Sequence, residues 1–486
     1  MIPRDTMIPT SGAEDPLIGL RTSRVSERAV AHLIDLLIVL AIQLPLTLLI
    51  TFTSSFKGLL GPILILSTIP LVLLLYFTLL EGLTSTTVGK RLLDLRVISL
   101  NSMSGPSLAE SFIRNLFRFS DMLTLYLPIL ILRRRRIGDA LAGTIVVSRD
   151  FLRVELPEGD SQLSKELRES IVRAVLLELE SLPERFEGGS VESPMRDRVA
   201  EVLRGEDESV LNRVAYFLSY PSLQLSLLGA EGIARIYERA AELCGGECGR
   251  ILVKRAAIIR ALFRRPRRMG DLNSIFKRAP EEFRRSARYF IISLSLFAIP
   301  ALSAYYLRPG WMEELIRELL GKDLPPTEVS PLVLSCIIFL NNLRVVLATL
   351  GMAPLAFMPF LTLAVNGILV GLVASLHDPL EVALLILPHG VPELTSIFIS
   401  TSISLRVLGQ LLRGDARWSR AREVAMGSVN LAAFSILLLL YSATVEGFLT
   451  RWLSSYPLLD IAFSIGEAFA IYSYLLVTNL RTSRGS

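Results

Sequence analysis

The sequence predicts an all-α polytopic membrane protein. About eight transmembrane helices are expected, plus a re-entrant or interfacial hairpin, a cytoplasmic helical domain and a small surface β element. Three observations carry that prediction. Of the 486 residues 51% are hydrophobic and the mean hydropathy is +0.50, too apolar for a soluble chain of this size. Eight apolar stretches reach the roughly 20 residues that a helix needs to cross a hydrocarbon core about 30 Å thick. Finally, the net charge of +5 comes from 45 arginines and only 6 lysines, collected in the polar segments between those stretches. Positive charge there marks the cytoplasmic side.

Residues 1–20 are polar, carry both charge signs and show no small-residue cleavage site, so a flexible tail is expected rather than a signal peptide. Residues 21–150 open with RTSRVSER, followed by a first span at Ala29–Thr53 and a second at Leu59–Glu81. Arginines before the first span and Gly89-Lys90-Arg91 after the second put both flanks inside. The next apolar piece, DMLTLYLPILIL (121–132), is too short to cross, contains Pro128 and runs into RRRR (133–136). A single crossing would place four arginines outside, so a hairpin with both ends inside is expected. LRVIS (95–99) and GTIVVS (143–148) read as two short strands that pair at the membrane surface.

Residues 151–285 are water-soluble in character, with apolar positions at helical spacing and 23 basic against 22 acidic residues. A cytoplasmic helical domain is expected. Its RRPRRMGD patch has no interleaved aromatics and precedes a span, which points to anionic headgroups and away from nucleic acid. Cys244 and Cys248 in CGGEC have no second Cys/His cluster nearby and are read as free thiols; a redox couple or half a metal site is the alternative.

Residues 286–486 hold six candidate spans near 287–307, 331–350, 353–376, 381–409, 424–446 and 459–480. Basic segments at 284–288, 406–422 and 481–484 would face the cytoplasm, and the acidic-leaning loop 309–328 would face out. Both termini are therefore expected inside a multi-pass protein of the cell membrane.

The first segment carries Arg28, Asp35, TTVGKRLLDLRV (86–97), FIRNLFRFSD (112–121) and Asp139 within RRIGDALAGTIVV. In this order the blocks resemble the RDD family over about the first 150 residues, which implies a small membrane module associated with transport. The last segment carries FLNNLRVVLATLG (339–351), VNGILVG (365–371), LPHGVPEL (387–394) and SATVEGFL (442–449). It is similar to the stage II sporulation protein M family, whose members help remodel the envelope during engulfment beside wall-cleaving partners. No peptidoglycan-hydrolase motif is present in this chain.

LPHGVPEL is the strongest candidate site. Pro388, Gly390 and Pro392 predict a break in a membrane helix, tolerated only where protein or a wet cavity surrounds the freed backbone. His389 and Glu393 are four apart and share a helical face. A lone charged glutamate in lipid is costly, so Glu393 stays protonated or pairs with His389 or with a cation such as Arg344. Asn341, Asn342, Arg344, Asn366, Glu446 and Glu467 lie in other spans and could converge with it into one polar centre. Gly367 and Gly371 form a GxxxG step.

Three readings of that centre stand side by side: a structural hydrogen-bond network, a site for a passing ion or solute, and a metal site of His389, Glu393 and Glu446. A single histidine without an H-E-x-x-H helix speaks against an intramembrane metalloenzyme. In the first segment, Arg28 and Asp35 lie two turns apart on one face with His32 between them. They read as a boundary ion pair or as a cation entry extended by Glu81. His377, beside Asp378 and Pro379 in a short outer turn, is read as ordinary.

The expected function is transport or permeation of an ion or small solute. A non-enzymatic scaffold for envelope remodelling is the alternative. No catalytic residue, cofactor or resident metal is expected. The candidate partners are anionic lipids, further copies of the chain or other membrane proteins, with no nucleic acid.

Overall fold

Long apolar runs in this chain carry only isolated ionisable residues, and helices satisfy every backbone group within one segment, so the spans fold as helices. A computed structural model describes residues 25–53, 60–100, 105–124, 126–127, 135–148, 153–157, 159–182, 194–263, 273–307, 310, 330–355, 357–376, 378–414, 417–453 and 455–477. The expected tail 1–20, half of the hairpin 121–132 with Arg133 and Arg134, the RRPRRMGD patch, the outer loop 309–328, His377 and the segment 481–484 lie outside or largely outside these residues.

Among the described residues eight helices are long and apolar enough to cross a membrane. The chain is an all-α polytopic membrane protein. It divides into two compact units: residues 1–35, 80–107 and 144–267 form one, and residues 36–79, 108–143 and 268–486 the other.

The first unit contains the N-terminal end of α1 (Val25–Thr53), the last turns of α2 (Leu60–Thr84), α3 (Val88–Leu92), and the strands β1 (Leu95–Ser99) and β2 (Thr144–Ser148). The strands pair antiparallel, with Leu95 opposite Ser148 and Ser99 opposite Thr144. Alternation along them sorts their side chains. Leu95, Val97 and Val146 pack with Ala31 of α1, whereas Ile98, Ile145 and Val147 enter the core of the polar helical region. Both faces of the sheet are thus covered.

That region joins α7 (Gln162–Glu180), α8 (Pro194–Val202), α9 (Glu208–Ser219), α10 (Pro221–Cys244) and α11 (Gly246–Phe263), α6 being the Ile137–Ala142 helix of the other unit. Leu167, Ile171 and Val175 of α7 meet Ile233, Ile236 and Tyr237 of α10 and Leu252, Ala256 and Ile259 of α11 at helical spacing. Gly245 and Gly246, both left-handed (φ 65° and 51°), turn the chain from α10 into α11. Cys244 and Cys248 flank that turn and are joined in a disulfide, with Cα atoms 6.0 Å apart. The expectation of free thiols is corrected: the glycine turn sets the two cysteines within bridging range.

The second unit is built on α12 (Asn273–Leu307), α13 (Pro331–Gly351), α14 (Phe357–Leu376), α15 (Pro379–Leu411), α17 (Val429–Phe448) and α19 (Pro457–Val477), with the short α18 (Thr450–Leu453) between the last two. At 35 residues, α12 is about 50 Å long, well beyond a bilayer core, and its charged first turns extend past the apolar part. Gly367 and Gly371 of α14 lie against the carbonyls of Phe297 and Ala301, where a Cβ would overlap backbone. That contact is the close approach a GxxxG step permits.

α15 is the most enclosed span and packs on α12, α13, α17 and α19. Its TSIFISTSIS run (395–404) buries hydroxyls that cross to neighbours: Ser396 Oγ donates to the Ser435 carbonyl (2.7 Å) and Ser404 Oγ to the Thr349 carbonyl (2.9 Å). Phe290 and Phe297 of α12 meet Phe398 edge-on, at 5.8 and 5.5 Å between centroids.

In the same unit, α4 (Leu108–Leu116), α5 (Arg118–Leu123) and α6 gather Ile113, Phe117, Ile137 and Leu141 around Ala421 and Ala425 of α16 (Arg417–Gly427). The remaining parts of α1 and α2 pack Val39 against Leu73 and Phe77, and Gln43 Nε2 donates to Thr68 Oγ1 at 2.8 Å.

Candidate functional site

α15 runs unbroken from Pro379 to Leu411, so LPHGVPEL is helical throughout and the expected break at Pro388, Gly390 and Pro392 is corrected. Proline's fixed φ is itself helical; what it removes is an amide proton, freeing the carbonyls of Leu384 and Pro388. The enclosing helices hold the segment in place. Next to the freed Pro388 carbonyl, Ser442 Oγ of α17 donates to the His389 carbonyl at 2.8 Å.

Because the helix continues, His389 and Glu393 do lie one turn apart on one face. Glu446 of α17 comes to meet them, and one ligand atom from each of the three lies within 4.8 Å of the others. His389 Nε2 is 3.8 Å from Glu446 Oε2. His389 Nδ1 lies 3.3 Å from the hydroxyl of Thr450, which is buried and 3.3 Å from the Val445 carbonyl.

On the other side, α13 supplies a polar relay. Arg344 Nη2 donates to Asn341 Oδ1 (3.1 Å), Asn341 Nδ2 approaches Asn342 Oδ1 (3.5 Å), and the Asn342 side chain hydrogen-bonds Glu393. Arg344 does not itself pair with Glu393; two asparagine side chains stand between them.

Six of the eight residues expected in the polar centre come together: His389, Glu393, Glu446, Asn341, Asn342 and Arg344. Asn366 instead donates to its own helix at the Thr362 carbonyl (2.7 Å). Glu467 of α19 lies beside the Tyr441 hydroxyl, apart from the cluster. Two contributors escaped the sequence reading, Ser442 and Thr450. Part of the signal was present: Ser442 and Glu446 are four residues apart, which is one helical face, whereas Thr450 lies beyond the end of α17.

The first-segment residues are placed as follows. Asp35 accepts from Thr87 Oγ1 (2.5 Å) and from the Gly89 amide (2.8 Å), and Arg28 Nη2 donates to the Val146 carbonyl (3.1 Å). Glu81 is fully buried in an ion pair with Lys90. Asp139 is fully buried, forms an ion pair with Arg114 and lies 3.6 Å from Arg136. Nearby, burial pushes the Asp121 carboxyl up from its ordinary range against the pull of Arg136 and the Ile137 amide. Arg118 stacks 3.6 Å over Phe77.

Residues 22–143 match the RDD family, and residues 286–451 match stage II sporulation protein M. The chain joins these two family segments. The polar helical region between them falls outside both matches. All six converging residues, with Ser442 and Thr450, belong to the sporulation-M segment, whereas Arg28, Asp35 and Asp139 belong to the RDD segment. No curated protein and no solved structure matches the chain.

Proposed function

We propose that this integral membrane protein moves an ion or small solute across the cell membrane, without chemical transformation, and that its binding place is the polar centre of the sporulation-M segment. One observation carries the reading: an imidazole and two carboxylates face one another inside an apolar bundle, with no lysine or arginine in contact among the described residues. Ionisable groups at membrane depth are rare, because each is costly unless it serves a site or a pair. Arginine-rich segments support an orientation with both termini cytoplasmic and with anionic headgroups against the basic loops.

The test is flux in proteoliposomes. The purified protein should move protons, sodium ions or a small charged solute above an empty-vesicle control, and Glu393→Gln should abolish that flux while leaving the elution profile intact. Equal flux in protein-containing and empty vesicles sinks the reading.

A scaffold for envelope remodelling is the second reading. It is favoured by the buried serine bonds of α15 and by the glycine contact between α12 and α14, which describe a tightly locked bundle. Its expected outcome is a constant membrane-protein partner recovered by crosslinking in native membranes.

A further inference from the structure

Two carboxylates and one imidazole converge in the sporulation-M segment, and their neighbours orient them without neutralising them. Thr450 has a single hydroxyl proton. With the Val445 carbonyl as its acceptor at 3.3 Å, the hydroxyl presents lone pairs to His389 Nδ1, also at 3.3 Å. In the tautomer that this arrangement favours, Nδ1 carries the imidazole proton and Nε2, 3.8 Å from Glu446 Oε2, is left unprotonated and able to act as a ligand. A lone pair facing a carboxylate is repulsive unless a proton or a metal ion lies between them, and of the two only a metal ion also engages a third ligand. Glu393, steadied by Asn342, completes the triangle.

We propose that His389 Nε2 and one oxygen each from Glu393 and Glu446 bind a first-row divalent transition-metal ion of the Zn²⁺ type, with water in the remaining position. This names the ligand class of the transport reading above and rests on that reading. Three protein ligands and an open position are a common arrangement for such ions. The mixed nitrogen and oxygen donors select against Mg²⁺ and Ca²⁺, which prefer oxygen alone.

Metal–ligand bonds of about 2.0–2.1 Å in tetrahedral geometry put ligand atoms about 3.4 Å apart. The 3.8 Å between His389 and Glu446 closes to that by a few tenths of an ångström, and Glu393 by a side-chain rotation. A doubly positive ion cancels two carboxylates, so the loaded centre is neutral in an apolar interior, where uncompensated charge is most costly. Thr450 is a positioning residue, fixing the ring through the nitrogen that does not bind the metal.

The experiment titrates the full-length protein, stripped of metal in nanodiscs, with Co²⁺ as a coloured stand-in for Zn²⁺. One equivalent should bind with visible absorption bands that excess Zn²⁺ removes. His389→Ala and the near-isosteric Glu446→Gln should each weaken binding at least tenfold. Thr450→Val should weaken it about 10- to 100-fold, and Asn366→Ala should change nothing. If His389→Ala fails to elute as a single species, Glu446→Gln and Thr450→Val decide alone.

Absence of the bands in folded wild-type protein overturns the proposal, as does binding that survives both Glu446→Gln and Thr450→Val unchanged. Stoichiometric binding without flux upholds the metal site and removes transport. Glu393-dependent proton flux without metal binding upholds transport and overturns the metal ion.

Discussion

The backbone amide of Gly89 donates to the Asp35 carboxylate at 2.8 Å, while the Thr87 hydroxyl occupies its other oxygen at 2.5 Å. Asp35 thereby ties the TTVGKR turn back onto α1. Asp35→Ala strands two buried donors and should cost about 1–3 kcal/mol, read as a lower midpoint of thermal unfolding in detergent. Thr87→Ala should cost less, since the Gly89 bond survives. An unchanged midpoint in Asp35→Ala would remove the carboxylate from this role.

Asp139 balances Arg114, and both are fully buried. Removing one member of such a pair leaves an unpaired charge and should cost about 3–5 kcal/mol in Asp139→Ala. The Arg114→Ala, Asp139→Ala double variant should lose clearly less than the two single losses added together. Strict additivity in that cycle would show that the pair is not coupled.

Gly371→Val places a side chain on the Ala301 carbonyl of the facing helix. Overpacking of about 1–3 kcal/mol is expected, and the larger value is expected here because a backbone atom must yield. The readout is early aggregation on heating, with Gly466→Val, which meets nothing, as the control.

Tyr237 predicts a pH dependence for the polar helical region. Its hydroxyl donates to the Arg153 carbonyl (3.0 Å), accepts from the Glu155 amide (3.2 Å), and its ring lies 4.8 Å from the Arg255 guanidinium. Burial pushes the phenol up from its ordinary value, outweighing the pull of Arg255. The folded state therefore keeps a proton that the unfolded chain releases near pH 10. The stabilisation is complete below pH 10 and falls as pH rises through 10 toward the folded value, by up to about 1.4 kcal/mol per unit. Thermal midpoints between pH 9 and 11 should fall less steeply in Tyr237→Phe than in the wild type; parallel curves would rule the phenol out.

Much of the architecture is legible in the sequence. A span is a property of one segment, its length and its low charge content, and all eight expected spans are helices of sufficient length. Strand pairing between 95–99 and 143–148 was equally readable from two short β-branched runs. The proline-marked break was misread. Pro388 and Pro392 report the loss of amide donors, and local sequence does not record whether surrounding helices support a continuous backbone.

The sequence by itself determined that His389 and Glu393 share a face, because helical period alone fixes that. The same period places Ser442 and Glu446 along another. Only the tertiary structure decided that these two faces meet, that Glu446 joins the centre while Glu467 does not, and that Asn366 turns back to its own helix. Those outcomes depend on how α13, α15 and α17 pack side by side and on the rotation of each about its axis. Many side chains set these together, across more than 100 residues of chain from Asn341 to Thr450.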